Sequence, residues 1–285
     1  MTEARLLEGK ILAAKIQDEI KSQLQVFASK GLEKPRLSAT YSAQNSSAEW
    51  YVGQQEKLAQ KLGIEFEKFP LPETPNFLEK QIVEQSIGKR FHGIFIAMPL
   101  PAGFDSDKVL SNLDGRKDVE GIHPLSLGLI VLRKAKLIPP TAFAAFKLIE
   151  SAGIEMRGKR AVIVGQSAIV GKPLAMLLGE KRATVTICNT GTSAADLEKI
   201  VSESDIVVGC AGQPGLIKGG WIKPGAVVID VGTTEVNGKL VGDVEFEEAK
   251  KRAGFITPVP GGVGPLTVTM LMQNLIYAYK WQKNL

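Results

Sequence analysis

The chain has 285 residues, 44% hydrophobic and 23% charged, ordinary values for a globular protein large enough for two domains of about 140 residues each. Disordered, collagen-like and coiled-coil readings are excluded, and two cysteines, Cys188 and Cys210, leave no room for a disulfide framework or a four-thiolate zinc site. The net charge of +5 is spread along the chain, which argues against nucleic acid and suits an anionic small molecule.

No apolar run approaches the roughly 18 residues of a spanning helix, and the opening MTEARLLEGK is charged where a signal peptide is apolar. A soluble, cytoplasmic protein without a membrane partner is expected. From Leu7 to Ser29 the apolar residues fall at helical spacing and stop at Gly31. Arg36–Tyr41 reads as a strand. Ser46 or Ser47 looks like the cap of a helix running to Leu62 and ended by Gly63. Ile64–Phe69 is a second strand, Thr74–Ile87 a helix, and Gly93–Ala97 a buried strand entering Met98-Pro99-Leu100-Pro101. This alternation predicts an α/β half with a mostly parallel sheet.

Asp114–Pro140 is less regular, and Pro139-Pro140 marks a boundary near residue 140. A linking helix, Thr141–Ala152, precedes a second alternation. Strands are expected at Arg160–Val164, Thr184–Cys188, Asp205–Cys210 and Ala226–Val231, and helices at Val170–Glu180 and Ser193–Ser202. Asn237-Gly238 sits where a two-residue hairpin turn would. Leu266–Trp281 is helical in period.

After the apolar strand comes Gly165-Gln166-Ser167-Ala168-Ile169-Val170-Gly171-Lys172-Pro173. Strand, glycine-rich turn and helix are the context of a dinucleotide site, in which unpaired backbone N–H groups and the positive helix end face a pyrophosphate. The spacing is G-x-S-x-x-x-G, one residue longer than the standard fingerprint. An acid at the end of the next strand would bind the ribose 2′-hydroxyl of NAD, but the chain has Cys188-Asn189-Thr190. That leans toward NADP, although Gln166 brings no positive charge to a 2′-phosphate.

Several motifs together carry a resemblance. Tyr51-Val52 opens a helix, Pro99-Leu100-Pro101 follows a strand, and Lys117-Asp118-Val119-Glu120-Gly121 comes next in order. The Gly165–Pro173 turn and the run Thr257-Pro-Val-Pro-Gly-Gly-Val-Gly-Pro-Leu-Thr267 complete it. Over nearly its whole length the chain resembles the bifunctional methylenetetrahydrofolate dehydrogenase/methenyltetrahydrofolate cyclohydrolases. The resemblance implies a two-domain α/β fold with a cleft between the domains. Residues 1–140 would form the N-terminal folate-binding, catalytic domain and 141–267 a Rossmann-like NAD(P) domain. Helix 268–285 would pack back on the first domain. It also implies a homodimer, no metal, tetrahydrofolate as one-carbon carrier, and NADP or NAD as hydride acceptor. Catalytic roles would fall to Tyr51, Gln55 and Glu120. Folate would meet Tyr51, Pro99, Leu100, Glu120, Pro260, Gly261 and Gly262. The nucleotide would meet Gly165, Gln166, Ser167, Ile169, Gly171, Thr190, Gly212 and Thr233.

The departures from the family pattern cluster at that site. The family reads Tyr-Val-x-x-Lys-x-Lys with its first lysine catalytic, whereas Gln55 holds that position and Lys57 matches the second lysine. Positions i and i+4 share a helix face, so Tyr51 and Gln55 point the same way while Lys57 lies about 200° round from Gln55. Ala97 replaces the glutamine that bonds the family's lysine, Glu120 replaces an aspartate, and Gln166 an arginine. Asn189-Thr190 stands for His-Ser, and Thr141-Ala142-Phe143-Ala144 for Thr-Pro-x-Gly. Of the two histidines, His92 precedes a strand and His123 lies in a loop. The expectation is dehydrogenase activity with cyclohydrolase activity weak or lost. The rivals are a non-catalytic folate- or nucleotide-binding paralogue and an enzyme on a related carrier or cyclic amine.

Overall fold

Strand and helix alternate from the first residues, because short β-branched runs alternate with amphipathic stretches closed by glycine. The computed structural model describes residues 3–285. Strand β1 (Arg5–Leu6) leads into helix α1 (Gly9–Ser29). Then come β2 (Arg36–Tyr41), α2 (Ser46–Leu62), β3 (Glu65–Pro70), α3 (Pro75–Ile87) and β4 (Gly93–Ile96). Two short helices follow, α4 (Ser106–Ser111) and α5 (Pro124–Val131), and then α6 (Pro140–Ser151). The second alternation is β5 (Arg160–Val164), α7 (Gly171–Glu180), β6 (Thr184–Cys188), α8 (Ala194–Glu203), β7 (Ile206–Gly209) and β8 (Val227–Asp230). A hairpin, β9 (Thr234–Val236) and β10 (Lys239–Val241), precedes α9 (Phe246–Lys250), β11 (Phe255–Ile256) and α10 (Val263–Lys283).

The described chain divides into two units. One holds residues 15–140 and 268–285, and the other residues 3–14 and 141–267. Residues 3–14 were expected in the first domain. They go with the second because β1 pairs in parallel with β11, Arg5 opposite Phe255 and Leu6 opposite Ile256. A pairing of two-residue strands some 250 positions apart leaves no periodic trace in the sequence.

In the first unit a three-stranded parallel sheet runs β3-β2-β4. Leu78 and Ile82 of α3 pack on Ile94 and Ile96 of β4 and on Val109 and Leu113. Helix α2 is capped by Asn45, whose Oδ1 accepts from the N–H groups of Ser47 and Ala48. The expected cap at Ser46 or Ser47 is therefore one or two residues late. Gly63, at φ +81°, ends the helix as expected. Midway along α10, Asn274 donates to the carbonyls of Val119 (2.8 Å) and Ile138 (2.7 Å). The Tyr279 hydroxyl donates to Glu33 O. Segment 114–140 is more ordered than expected. Helix α5 is apolar all round, so it carries no helical period, and His123 is its unexpected cap.

In the second unit six parallel strands run β1-β11-β8-β7-β5-β6. Strands β7 and β8 are buried throughout and β5 from Ala161 onward, which is why they read as unbroken apolar runs. Edge strand β6 instead exposes Thr184 and Thr186. Chain order reverses at β5, with β6 on one side and β7 on the other. The loops after these strands lie at the carboxyl edge of a topological switch, the usual place for a ligand. In the hairpin, Asn237 and Gly238 both take positive φ, as a tight turn between twisted strands requires.

Candidate functional site

In the first unit helix α2 buries Val52, Gln55, Ala59 and Leu62 on one face and leaves Lys57 exposed. Gln55 is 0% exposed, and neither its Nε2 nor its Oε1 makes a hydrogen bond. Its amide nonetheless lies close enough to the Tyr51 hydroxyl to favour the phenolate slightly. Burial and the nearby Glu120 carboxyl outweigh that effect and push the Tyr51 phenol well above its ordinary range. The Tyr51 ring also meets Phe95 at 5.9 Å between centroids, tilted by 54°. Tyr51, Gln55 and Glu120 are thus neighbours, brought together by α2 and the segment after Asp118.

Glu120 stands without a cation. Burial, followed by the Asp118 charge, raises its carboxyl to about 8, and its Oε1 has no hydrogen-bond partner. Asp118 is fully buried, and burial raises its pKa as well. Its Oδ2 accepts from His123 N and Ser126 Oγ, both at 2.8 Å. Those two bonds, with Asn274 on Val119 O, fix the segment that carries Glu120. Sequence reasoning missed Ser126 and Asn274, since a serine or an amide within an apolar helix gives no signal of its partner.

Neither histidine is placed as a free base. His123 caps α5, its Nδ1 accepting from Leu125 N at 3.0 Å. His92 is buried with its Nδ1 accepting from Arg36 N, and burial lowers its pKa. Lys117 turns away from Glu120, its Nζ donating to the carbonyls of Gln85 and Gly88. Pro99 and Leu100 follow β4, and the Met98–Pro99 peptide is cis.

In the second unit Gly165 has φ +127°, and a Cβ there would strike the Cys210 carbonyl. A Cβ on Gly171 would strike the Gly165 carbonyl. These glycines let the turn fold tightly over the end of β7. Between them Gln166, Ser167 and Ile169 are exposed. Ser167 Oγ accepts from Val170 N, and no side chain caps the first turn of α7. In that turn Lys172 N donates to Ser167 O at 3.1 Å, Leu174 N donates to Val170 O at 3.0 Å and Pro173 has no N–H, so the Gly171 amide is what the turn offers an anion. After β6, Asn189 Oδ1 accepts from Gly191 N, and its Nδ2 donates to Gln166 Oε1 at 3.3 Å. Thr190 and Thr233 are exposed, and Gly212 has φ +67°.

Two buried acids behind these loops were not foreseen. Asp230 Oδ1 accepts from Gly232 N and Asp243 N, and its Oδ2 from Val244 N. Asp243 Oδ2 accepts from Ala211 N and Gly212 N. Burial raises Asp230 to about 6, and burial with these two carboxyls raises the Cys210 thiol to about 12, so it is no nucleophile. Pro260, Gly261 and Gly262 also belong to this unit. Gly262 is crowded by Thr257 and Pro258, and a Cβ on Gly9 would strike the Gly262 carbonyl. Packing within the unit thus accounts for part of the glycine run, while a Cβ on Gly261, at φ +110°, would meet the Pro258 ring at 3.9 Å, an ordinary contact. No group of metal-ligating side chains occurs among the described residues, and no described helix is long and apolar enough to cross a membrane.

Two family models match the chain. The tetrahydrofolate dehydrogenase/cyclohydrolase catalytic domain covers residues 7–120 and the NAD(P)-binding domain of that family residues 139–283. The bifunctional protein FolD of Geotalea uraniireducens is 41% identical over 280 residues, 97% of this chain and 99% of that protein. The Trypanosoma brucei methylenetetrahydrofolate dehydrogenase-cyclohydrolase, solved with NADP and an inhibitor, is 38% identical with a TM-score of 0.95 over 100% of both chains. A Bombyx mori 5,10-methylenetetrahydrofolate dehydrogenase is 35% identical with a TM-score of 0.93, covering 99% of this chain and 100% of its own.

The state of Glu120 has a measurable consequence. Its folded pKa, about 8, lies above the roughly 4.3 of an unfolded glutamate. The folded form therefore holds the proton longer, and the stability this confers is complete below about pH 4 and lost as pH rises through about 8. Glu120→Gln should flatten the fall of Tm between pH 6 and 9 and leave the variant more stable than wild type at pH 8.5. Parallel Tm curves for the two proteins would place the carboxyl in water.

Proposed function

The chain belongs to the tetrahydrofolate dehydrogenase/cyclohydrolase family, and from that membership we propose an NADP-dependent 5,10-methylenetetrahydrofolate dehydrogenase whose cyclohydrolase activity is weak or lost. The observation that carries the second half is Gln55, buried beside Tyr51 with both amide atoms unpaired. An amide donates and accepts hydrogen bonds but does not shuttle a proton, and ring opening by water needs a titratable group worth about 10²–10⁴ in rate. Lys57 is exposed, His123 is committed as a cap, Glu120 is taken up by the pterin in this reading, and the Tyr51 phenol, pushed well above its ordinary range, holds its proton, which leaves that role without a bearer.

In this reading the unit with residues 15–140 binds the pterin. Tyr51 lies against the ring, Pro99 and Leu100 border it, and Glu120 receives its amino and ring N–H groups. Accepting two such bonds requires the carboxylate, so folate binding below about pH 8 draws a proton from Glu120.

A nicotinamide dinucleotide held in the second unit supplies the hydride acceptor. The turn Gly165, Gln166, Ser167, Ile169 and Gly171 seats its pyrophosphate, while Thr190, Gly212 and Thr233 border it. NADP is preferred because no carboxylate follows β6 to repel a 2′-phosphate or claim a 2′-hydroxyl. The neutral Gln166–Asn189 pair makes that preference modest. A cytoplasmic homodimer built through the nucleotide unit belongs to the same reading.

Purified protein with methylenetetrahydrofolate and each nicotinamide should form NADPH and methenyl product, the latter opening no faster than in buffer. Gln55→Lys with Ala97→Gln should recover more ring opening than the two single changes combined, as contacting groups couple. Strong cyclohydrolase activity in the unmodified protein would refute the role given to Gln55. Folate binding with neither activity would favour a non-catalytic or altered-substrate protein.

Gly165→Val should abolish the rise in Tm that NADP produces, since the side chain meets the Cys210 backbone at a strained φ. Gly158→Ala, at φ +73° in open space, should cost about 1 kcal/mol of stability and keep that response. An unaltered NADP response in Gly165→Val would remove the turn from the nucleotide site.

A further inference from the structure

The buried acids Asp230 and Asp243 serve backbone N–H groups alone. Asp243 is 0% and Asp230 4% exposed, and neither forms an ion pair with any described lysine or arginine. Glycines make room for them. A Cβ on Gly242 would strike Asp230 Oδ2, one on Gly232 would strike Asp243 Oδ1, and one on Gly209 would lie 3.0 Å from Asp243 Cβ. Asp230 holds Asp243 in turn, its Oδ1 accepting from Asp243 N at 2.9 Å.

The outcome is felt at the loop after β7. Asp243 Oδ2 accepts from Ala211 N at 2.6 Å and from Gly212 N at 3.1 Å. In a trans peptide the carbonyl points opposite to the N–H. With both N–H groups turned inward, the Cys210 and Ala211 carbonyls face away from the carboxylate. The Cys210 carbonyl is the atom that a Cβ on Gly165 would strike. The carboxylate of Asp243 is thereby linked through one peptide plane to the glycine turn.

We propose that Asp243 is a positioning residue of the dinucleotide site. Its Oδ2 fixes the two peptide planes from Cys210 to Gly212, setting one carbonyl against Gly165 and presenting the next toward the nucleotide. Asp230 is the support that holds Asp243 in place. This inference rests on the nucleotide reading of the Gly165 turn. It assigns a role to a residue that touches no ligand itself.

The test measures dissociation constants of NADP and of tetrahydrofolate separately, by calorimetry on the whole chain. Asp243→Ala should weaken NADP at least tenfold and leave tetrahydrofolate affinity within twofold. Asp243→Asn keeps one oxygen acceptor and should stay within about threefold of wild type for NADP. Should the alanine variant fail to fold, Asp243→Leu fills the space without an acceptor and should show the same selective loss. Hydrogen exchange on the unmodified protein gives an independent reading, with the Ala211 and Gly212 amides expected to be protected before nucleotide is added. Unprotected amides, a folded alanine or leucine variant that binds NADP normally, or equal losses for both ligands would each overturn the proposal. If the unmodified protein binds neither NADP nor NAD, the nucleotide reading itself fails and the positioning role falls with it. Normal binding by a folded variant overturns the positioning role alone.

Discussion

The carboxyl edge of a parallel sheet leaves strand-end amides with no ladder partner, and in the second unit a pair of buried aspartates takes up that deficit. Asp230 receives three backbone N–H groups and Asp243 two. Buried carboxyls are costly unless hydrogen-bonded, and here the bonds come from the loops themselves. Removing Asp230 would leave the buried amides of Gly232, Asp243 and Val244 unpaired as well as a void, and removing Asp243 would release the loop after β7, so loops and acids depend on each other. The small residues around them, Gly209, Gly232 and Gly242, are a consequence of that arrangement.

The first unit meets a different constraint. It buries Gln55, Asp118 and Glu120 in one region with no cation among them, and leaves Gln55 Nε2 and Oε1, Asp118 Oδ1 and Glu120 Oε1 without partners. Such unpaired groups cost roughly 1–3 kcal/mol each in a finished core. A ligand presenting both donors and acceptors would recover part of that cost. The supports are committed elsewhere. Ser126 and His123 N hold Asp118, and Asn274 holds Val119.

Much of this was legible in the residues. The glycine at 165 is readable because only a glycine takes its φ so close to another strand's backbone, and Asn237-Gly238 because both positions need positive φ. Gln55 facing inward and Lys57 facing outward follow from helix periodicity alone. Illegible parts share a physical cause, since each depends on a partner distant in sequence. The β1–β11 pairing joins two-residue strands, Asp230 looks like the polar end of an apolar strand, and Asp243 looks like an ordinary loop acid until the fold brings amides to them. Helix α5 hid for the opposite reason, having no polar face to create a period. Pro260, Gly261 and Gly262 were expected to meet folate, but part of what packs against that run is Gly9 of the same unit.

An amide at position 55 is coherent with the rest of its surroundings. An ammonium buried there would carry a desolvation cost of several kcal/mol, offset only by a well-placed counter-charge and hydrogen bonds. With an amide at 55 that cost disappears, and so does the force that would hold Glu120 ionised. Burial, followed by the Asp118 charge, raises that carboxyl to about 8. Hydride transfer asks for orientation and exclusion of water, with the redox chemistry carried by the cofactor. Ring opening asks for a proton acceptor at the reacting water. On the proposed reading, a neutral residue at 55 therefore falls on one of the two family activities and spares the other.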